Sequence, residues 1–306
     1  MCVMRVMDNV LAIDITPKEL EMPFICSYAI VSGNEVAIVE SGPTVSARIL
    51  YEKLKDLKLH DKVKYVIPTH IHLDHGGGVG SLLKLLKNAK AYVHPRAVPH
   101  LINPDKLWEL ASEALGWLAE VYKKPEPTPS ELLIGTTDGQ RIRVGNLTLR
   151  IIHTPGHASH HQSVMLEESK TLFIGDSAGI YVFSENYVIP TTMPPIRLDM
   201  YVKSIDKQIA ENPTRICYTH FGCVDNGREA LIKHKEQVLA WFKGVKEALS
   251  EGKDNVDDIL EYILRYDEEA EKLKKIASSK RAYRILVELA LLGFRDEAKR
   301  IDKLTH

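Results

Sequence analysis

An α+β protein built as a two-sheet sandwich flanked by helices is the architecture the sequence predicts. Three observations carry it. Short β-like runs give way to helical runs in two successive rounds, and two such rounds bury their apolar faces well against each other. At 306 residues, with 44% hydrophobic and 26% charged, the chain can form one full-sized core and a smaller appendage. Histidines and aspartates recur just after strands and before loops, so a sheet that gathers its strand ends on one edge brings them together.

The first round begins with three short strands, at residues 9–15, 24–31 and 35–39, the last two joined by the turn Ser32-Gly33-Asn34. Glu40-Ser41-Gly42-Pro43 closes this block, and residues 44–57 carry apolar positions at helical spacing. An apolar strand at 63–67 leads into Thr69-His70-Ile71-His72-Leu73-Asp74-His75-Gly76-Gly77-Gly78, followed by a helix at 79–86 and a strand at 90–94. Asn103-Pro104 is a good helix start. Leu107, Leu110, Ala111, Ala114, Leu115, Leu118 and Val121 then recur on one helical face, ended by the Pro-rich stretch 123–129. This segment reads as a helical insertion at about 103–130. Its Trp108, Trp117 and Tyr122 either pack the helix down or wall a substrate pocket.

The second round has strands at 141–144, 147–152, 163–166 and 171–174, a helix at 198–210, a strand at 215–218 and a long helix at 228–250. From Glu251 onward the texture changes to charged amphipathic helices. One starts at Asp254 or Asn255, a second spans 267–277, and a third is capped by Ser278-Ser279 and runs to Leu292 before Gly293. Ile285, Leu286, Leu289 and Leu292 form its expected buried face. The expected domains are therefore 1–250, catalytic, and 251–306, a C-terminal helical appendage docked on the body or on a second subunit of a homodimer.

Net charge is −1, which gives no global pull toward nucleic acid or anionic membrane. Cys2, Cys26, Cys217 and Cys223 form no CxxC pair, which suits free thiols in a reducing cytosol. With no signal-peptide core and no run of membrane-spanning length, the expectation is a cytoplasmic protein.

The chemistry lies in the His/Asp pattern. Imidazole nitrogens and carboxylate oxygens are ligands for zinc and similar divalent cations. His70 and His72, two apart in an extended segment, point to one side and can grip one ion. Asp74 and His75, where the glycines let the backbone turn, can face a second. His157 follows in Thr154-Pro155-Gly156-His157, Asp176 in Gly175-Asp176-Ser177 and His220 in Thr219-His220-Phe221-Gly222, each after a strand. These seven divide into His70, His72 and His157 for one ion, Asp74, His75 and His220 for the other, and Asp176 as the bridge, since a carboxylate has two oxygens. Two ions so held share a hydroxide able to attack a substrate carbonyl.

The H-x-H-x-D-H signature at 70–75, with His157, Asp176 and His220, resembles the metallo-β-lactamase-fold superfamily over roughly residues 10–245. The resemblance implies a four-layer αββα sandwich with a dinuclear metal site, zinc first and iron or manganese also suited, along one edge. Asp176, where the β-lactamases proper carry cysteine, resembles the glyoxalase II and acyl-homoserine-lactonase-like branch. The stretch 154–163 is similar to the matching stretch of acyl-homoserine-lactone hydrolases, which implies that His161 orients a ligand and leaves His160 incidental. Tyr181 lies near a tyrosine that serves substrate oxygen in lactonase-like relatives. With Asp74 it is the candidate catalytic residue. Cys223 reads as a small buried hydrophobe, Cys26 and Cys217 as core, and His60, His94, His100, His234 and His306 as surface or packing residues, while His153, next to the turn at 154–157, points by strand register either away from His157 or to a place just behind it.

The expected activity is hydrolysis of a small-molecule lactone, thioester or ester. The alternatives are a phosphodiesterase or ribonuclease, for which residues 272–284 would have to supply a basic track, and a mononuclear-iron oxygenase like the persulfide dioxygenases. A non-catalytic binding module is a further class, opposed by retention of every ligand type.

Overall fold

Strands rich in Val, Ile and Ala dominate the first of two units in a computed structural model that describes residues 3–20 and 22–305. That unit comprises Met1–His153, Ser159–Gly175 and Pro213–Asp225. One sheet runs β1 (Val3–Met7), β2 (Val10–Asp14), β3 (Cys26–Ser32), β4 (Glu35–Val39), β5 (Val63–Ile67), β6 (Lys90–Val93) and β7 (Leu133–Gly135), in that spatial order. Pairing is antiparallel as far as β4 and parallel from β4 to β7. The other sheet contains β8 (Arg141–Val144), β9 (Leu147–His153), β10 (Gln162–Leu166), β11 (Thr171–Gly175), β14 (Arg215–Tyr218) and β15 (Gly222–Asp225), ordered 15-14-11-10-9-8.

The two sheets share a core. Val10, Tyr28, Ile30, Val39 and Ile67 from the first meet Leu149, Ile151, Val164, Phe173 and Cys217 from the second, all buried. The Tyr28 and Phe173 rings lie 5.0 Å apart across that layer. Register matters here because a one-residue slip would turn each apolar set outward. Helices α1 (Ser46–Asp56), α2 (Val79–Leu85), α3 (Val98–Ile102), α4 (Asp105–Leu115) and α5 (Trp117–Tyr122) belong to the same unit. On α1, Ala47, Leu50 and Leu54 supply the buried stripe at helical spacing.

The second unit comprises Thr154–Ala158, Asp176–Asn212 and Asn226–His306. It holds the hairpin β12 (Ile180–Val182) and β13 (Tyr187–Ile189), then α6 (Leu198–Ala210), α7 (Gly227–Ser250), α8 (Val256–Ile263), α9 (Lys272–Ser279) and α10 (Arg281–Thr305). Trp241 of α7 is fully buried, packs 5.9 Å from Phe294 of α10, and donates its indole N–H to Asp267 at 2.7 Å. A buried indole needs such a partner. Among the described residues no helix is long and apolar enough to cross a membrane.

Several expectations need correction. The continuous helix through 103–122 breaks at Gly116 (φ +52°, ψ −116°) into α4 and α5, and Leu110 ends up 56% exposed rather than on a buried face. Tyr122 is buried packing, while Trp108 and Trp117 are half-buried. Strands β1, β7 and β15 and the β12–β13 hairpin escaped the sequence pattern because each is short and lacks a clean alternation. The last helix does not stop before Gly293; α10 runs through it to Thr305. Its buried face, Ala282, Leu286, Ala290, Leu291, Phe294 and Ala298, is turned from the expected one, and Ile285, Leu289 and Leu292 are only half-buried. Finally, Cys217 and Cys223, directly opposite in the β14–β15 pair, form a disulfide. That removes the all-free-thiol premise behind the cytosolic expectation. Cys26 is a buried free thiol with its pKa pushed up to about 12 by burial, and Cys2 lies outside the described residues.

Candidate metal centre

In the first unit the parallel strands β4 and β5 end together, and each delivers a polar cluster where the apolar run stops. After β5, the amides of His75 and Gly76 both donate to the His72 carbonyl at 3.0 Å, which closes a tight turn. The glycines serve close approach here. A Cβ at Gly76 would stand 2.6 Å from the His70 carbonyl oxygen, and one at Gly77 2.3 Å from that of Leu73.

After β4 comes Glu40, which the sequence reading took only as the end of a block. Its side chain is fully buried, and its backbone adopts φ +71°, a conformation unfavourable for a side chain with a Cβ. Oε1 accepts from the hydroxyls of Thr69 (2.5 Å) and Thr219 (2.8 Å) and from His75 Nδ1 (3.0 Å), while Oε2 accepts from the Thr69 amide (3.0 Å). One carboxylate thus ties together the loops after β4, β5 and β14. The signal that could have found it is an acid directly after an apolar strand, the position Asp176 occupies after β11.

Hydrogen bonding sets each imidazole's tautomer. His75 Nδ1 faces a carboxylate, so it donates and Nε2 carries the lone pair. Thr69 uses its one hydroxyl proton on Glu40, so toward His70 Nδ1, 3.1 Å away, it accepts. His70 Nε2 then also carries a lone pair, 3.0 Å from His72 Nδ1. His220 Nδ1 donates to the Phe24 carbonyl at 3.2 Å, and the Phe24 ring packs 4.4 Å from the imidazole. His220 Nε2 lies 3.5 Å from Asp74 Oδ2, and His75 Nε2 3.8 Å from Asp74 Oδ1. Donor atoms of Asp74, His75 and His220 all fall within 4.8 Å of one another. Two imidazoles and a carboxylate so gathered are the nitrogen/oxygen donor set of a borderline divalent cation.

His161 is buried with its ring 4.9 Å from that of His70. His160, taken as incidental from the sequence, has its ring 6.2 Å from that of His70 and 5.8 Å from that of His72, so it belongs to the same cluster. His94 and His153 form a separate pair, 4.3 Å apart, in which burial and the neighbouring imidazole lower the His94 pKa to about 4. His306 is outside the described residues.

In the second unit His157 and Asp176 are both buried, with His157 Nε2 3.6 Å from Asp176 Oδ2. His157 Nδ1 donates to the Thr191 carbonyl at 2.8 Å, so its Nε2 again carries the lone pair. Ser204 of α6 holds the turn before His157 by donating to the Pro155 carbonyl at 2.6 Å. Tyr181 sits on β12 with its hydroxyl donating to Asn186 Oδ1 at 2.9 Å. His234, read as a surface or packing residue, is buried and bonded to Tyr201 at 3.0 Å.

The strand-end histidines and carboxylates on their two sheets define the class: the chain belongs to the metallo-beta-lactamase superfamily, whose profile matches residues 24–220. The fold is the αββα sandwich of that class, and its His/Asp groups imply divalent metal ions. The chain is 33% identical over 226 residues to the metallo-beta-lactamase fold-containing protein ST1585 of Sulfurisphaera tokodaii, covering 72% of this chain and 81% of that one. The crystal structure of ST1585 superposes with a TM-score of 0.69 at 27% identity, covering 94% of this chain and 98% of that one. The family protein TTHA1429 of Thermus thermophilus shares the fold, with a TM-score of 0.65 at 20% identity over 96% and 95% of the two chains. An atrochrysone carboxyl ACP thioesterase of a Cryptosporiopsis species is 30% identical over 153 residues, 49% of this chain and 37% of that protein.

Proposed function

We propose that the protein is a hydrolase holding two divalent ions, zinc before iron or manganese, that adds water to the carbonyl carbon of a small lactone, thioester or ester. His70, His72 and His157 would hold one ion, Asp74, His75 and His220 the other, and Asp176 would serve both. The observation that carries this reading is the shared tautomer. In His70, His75, His157 and His220 an oxygen acceptor occupies Nδ1, which commits Nε2 as the lone-pair nitrogen of each. Such partners orient ligating histidines and raise their basicity.

Bound ions would supply Lewis acidity and lower the pKa of a water to near neutrality. The chain's own residues do the rest. Glu40 holds three loops in register. Asp74, with 14% of its side chain exposed, is the carboxylate open to solvent and suited to take the proton that the attacking water gives up and pass it to the departing oxygen or sulfur. Tyr181, by exchanging Asn186 for the substrate, offers a hydroxyl to the oxygen that gains charge. His161 steadies His70.

The thioesterase name borne by one relative supports a thioester within this substrate class. Against the phosphodiester alternative, at least three of the six basic residues at 272–284 are paired with acids: Lys272, Lys274 and Lys275 of α9 meet Glu269, Glu271 and Glu185 at 2.8–3.0 Å.

Metal quantification followed by a panel of lactones, thioesters and phosphodiesters tests the reading. We expect close to two ions per chain, fewer in Asp176→Ala together with loss of turnover, and metal-dependent cleavage of a carbonyl substrate. Tyr181→Phe should keep its metal and lose about tenfold to a hundredfold in turnover, roughly 1.4–2.7 kcal/mol. One ion per fully active chain, or cleavage of phosphodiesters alone, would overturn it.

A further inference from the structure

The C-terminal helices show no ligand-type cluster in sequence, yet the second unit ties them to the segment after β13 on which His157 leans. Thr191 and Thr192 are both buried. The Thr191 carbonyl accepts from His157 Nδ1, and its hydroxyl donates to the Asp176 carbonyl, so one residue fixes a side chain at 157 and the backbone at 176.

This residue pair is flanked on two sides, and one of them holds it. On one side, Thr191 Oγ1 lies 3.1 Å from the Tyr201 hydroxyl, which lies 3.0 Å from His234 Nε2. The direction of that row is determined at its far end. Gln237 Nε2 donates to the Val188 carbonyl at 3.0 Å, so Gln237 Oε1 faces His234 Nδ1 as an acceptor, also at 3.0 Å. His234 Nδ1 therefore carries the proton, Nε2 accepts, and Tyr201 donates to it. Tyr201 and His234 are buried. Thr191 gives its one hydroxyl proton to the Asp176 carbonyl and Tyr201 gives its own to His234, so no proton lies between the two hydroxyls and Tyr201 meets Thr191 by packing alone.

On the other side stands α10. Thr192 Oγ1 donates to the Ala290 carbonyl at 2.9 Å, within the helix. At Gly293, one turn on, a Cβ would stand 1.3 Å from the Thr192 carbonyl oxygen and 2.5 Å from its carbon. The obstacle is backbone, so no side-chain rotation relieves it. Only glycine lets the helix and the segment approach so closely. This accounts for a glycine in mid-helix, where it costs about 1 kcal/mol of helix propensity against alanine.

We infer that Thr191–Thr192 is the positioning element for the His157/Asp176 half of the metal centre, and that Gly293 of α10 is a positioning residue acting through it. The inference rests on reading His157 and Asp176 as ligands. It assigns the C-terminal helix a part in metal binding: α10 presses the segment into the place where its carbonyl selects the Nδ1–H tautomer of His157.

Nitrogen-15 NMR of the histidine rings in full-length, metal-free protein reads that tautomer directly, with the His157 signals assigned by their loss in His157→Gln. Calorimetric titration with zinc reads the binding. In Thr192→Val, which removes the bond to the Ala290 carbonyl, and in Gly293→Ala we expect a mixture of His157 tautomers and zinc binding weakened by about 10- to 100-fold, with the far-ultraviolet circular dichroism of the wild type. A single Nδ1–H tautomer and wild-type zinc affinity in folded Thr192→Val overturn the inference, whether or not Gly293→Ala folds. If His157→Gln binds zinc as the wild type does, the ligand assignment falls instead. The tautomer populations then decide alone whether the segment positions His157.

Discussion

Glu40 is the residue on which most of the first unit's metal-facing geometry depends. Its carboxylate, carried on the loop after β4, accepts four hydrogen bonds from two other loops while fully buried. Glutamine has the same shape but one acceptor oxygen, so whichever way its amide turns, an N–H group faces another donor. A buried donor left unmatched costs about 1–3 kcal/mol. We expect Glu40→Gln to weaken zinc binding by about 10- to 100-fold, as loss of a ligand's hydrogen-bond partner does, and to lower stability as well. Isothermal titration and urea denaturation check the two effects. Unaltered zinc affinity would mean that His75 is oriented by other means.

At the scale of elements, the β14–β15 pair presents His220 from a short turn that is bounded by Cys217 and Cys223. Tyr28 of the facing sheet donates to the Tyr218 carbonyl at 2.5 Å, and the Cys26 amide to the Thr219 carbonyl at 2.8 Å, so both ends and the middle of the turn are held. The disulfide makes a chemical count possible. Thiol titration in denaturant should find two fewer reactive thiols without reductant than after reduction. Equal counts would show that the pair is not oxidised. Sequence reasoning passed over this bond because a spacing of six residues signals no pairing until β15 is seen to fold back on β14.

For the molecule as a whole, stability should depend on pH through buried imidazole. Burial lowers the His234 pKa from 6.5 to about 4, and His94 shows the same direction. Between those values the unfolded chain takes up protons that the folded one refuses. The stabilisation is therefore fully present above about pH 6.5 and lost progressively as the pH falls toward 4. For His234 it amounts to something on the order of 3 kcal/mol. Urea unfolding of metal-free protein at pH 7 and pH 4.5 should show the loss, and His234→Gln should flatten the slope. An unchanged slope in that variant would place the acid sensitivity elsewhere.

The sequence by itself determined the class of fold and the chemical identity of the cluster. Strand runs and helical spacing are local properties, and the residues from His70 to His75 are consecutive, so a linear pattern exposes both. The tertiary structure alone decided how those groups are held. Glu40 meets Thr219 across 179 residues, and Tyr28 meets the Tyr218 carbonyl across 190. The tautomers follow from such partners, as does the need for glycine at 293, where the neighbour is the backbone of Thr192, far earlier in the chain. Hydrogen bonds and close contacts are made in space. Where the partners are far apart in the chain, no local pattern of residues records which atoms will meet.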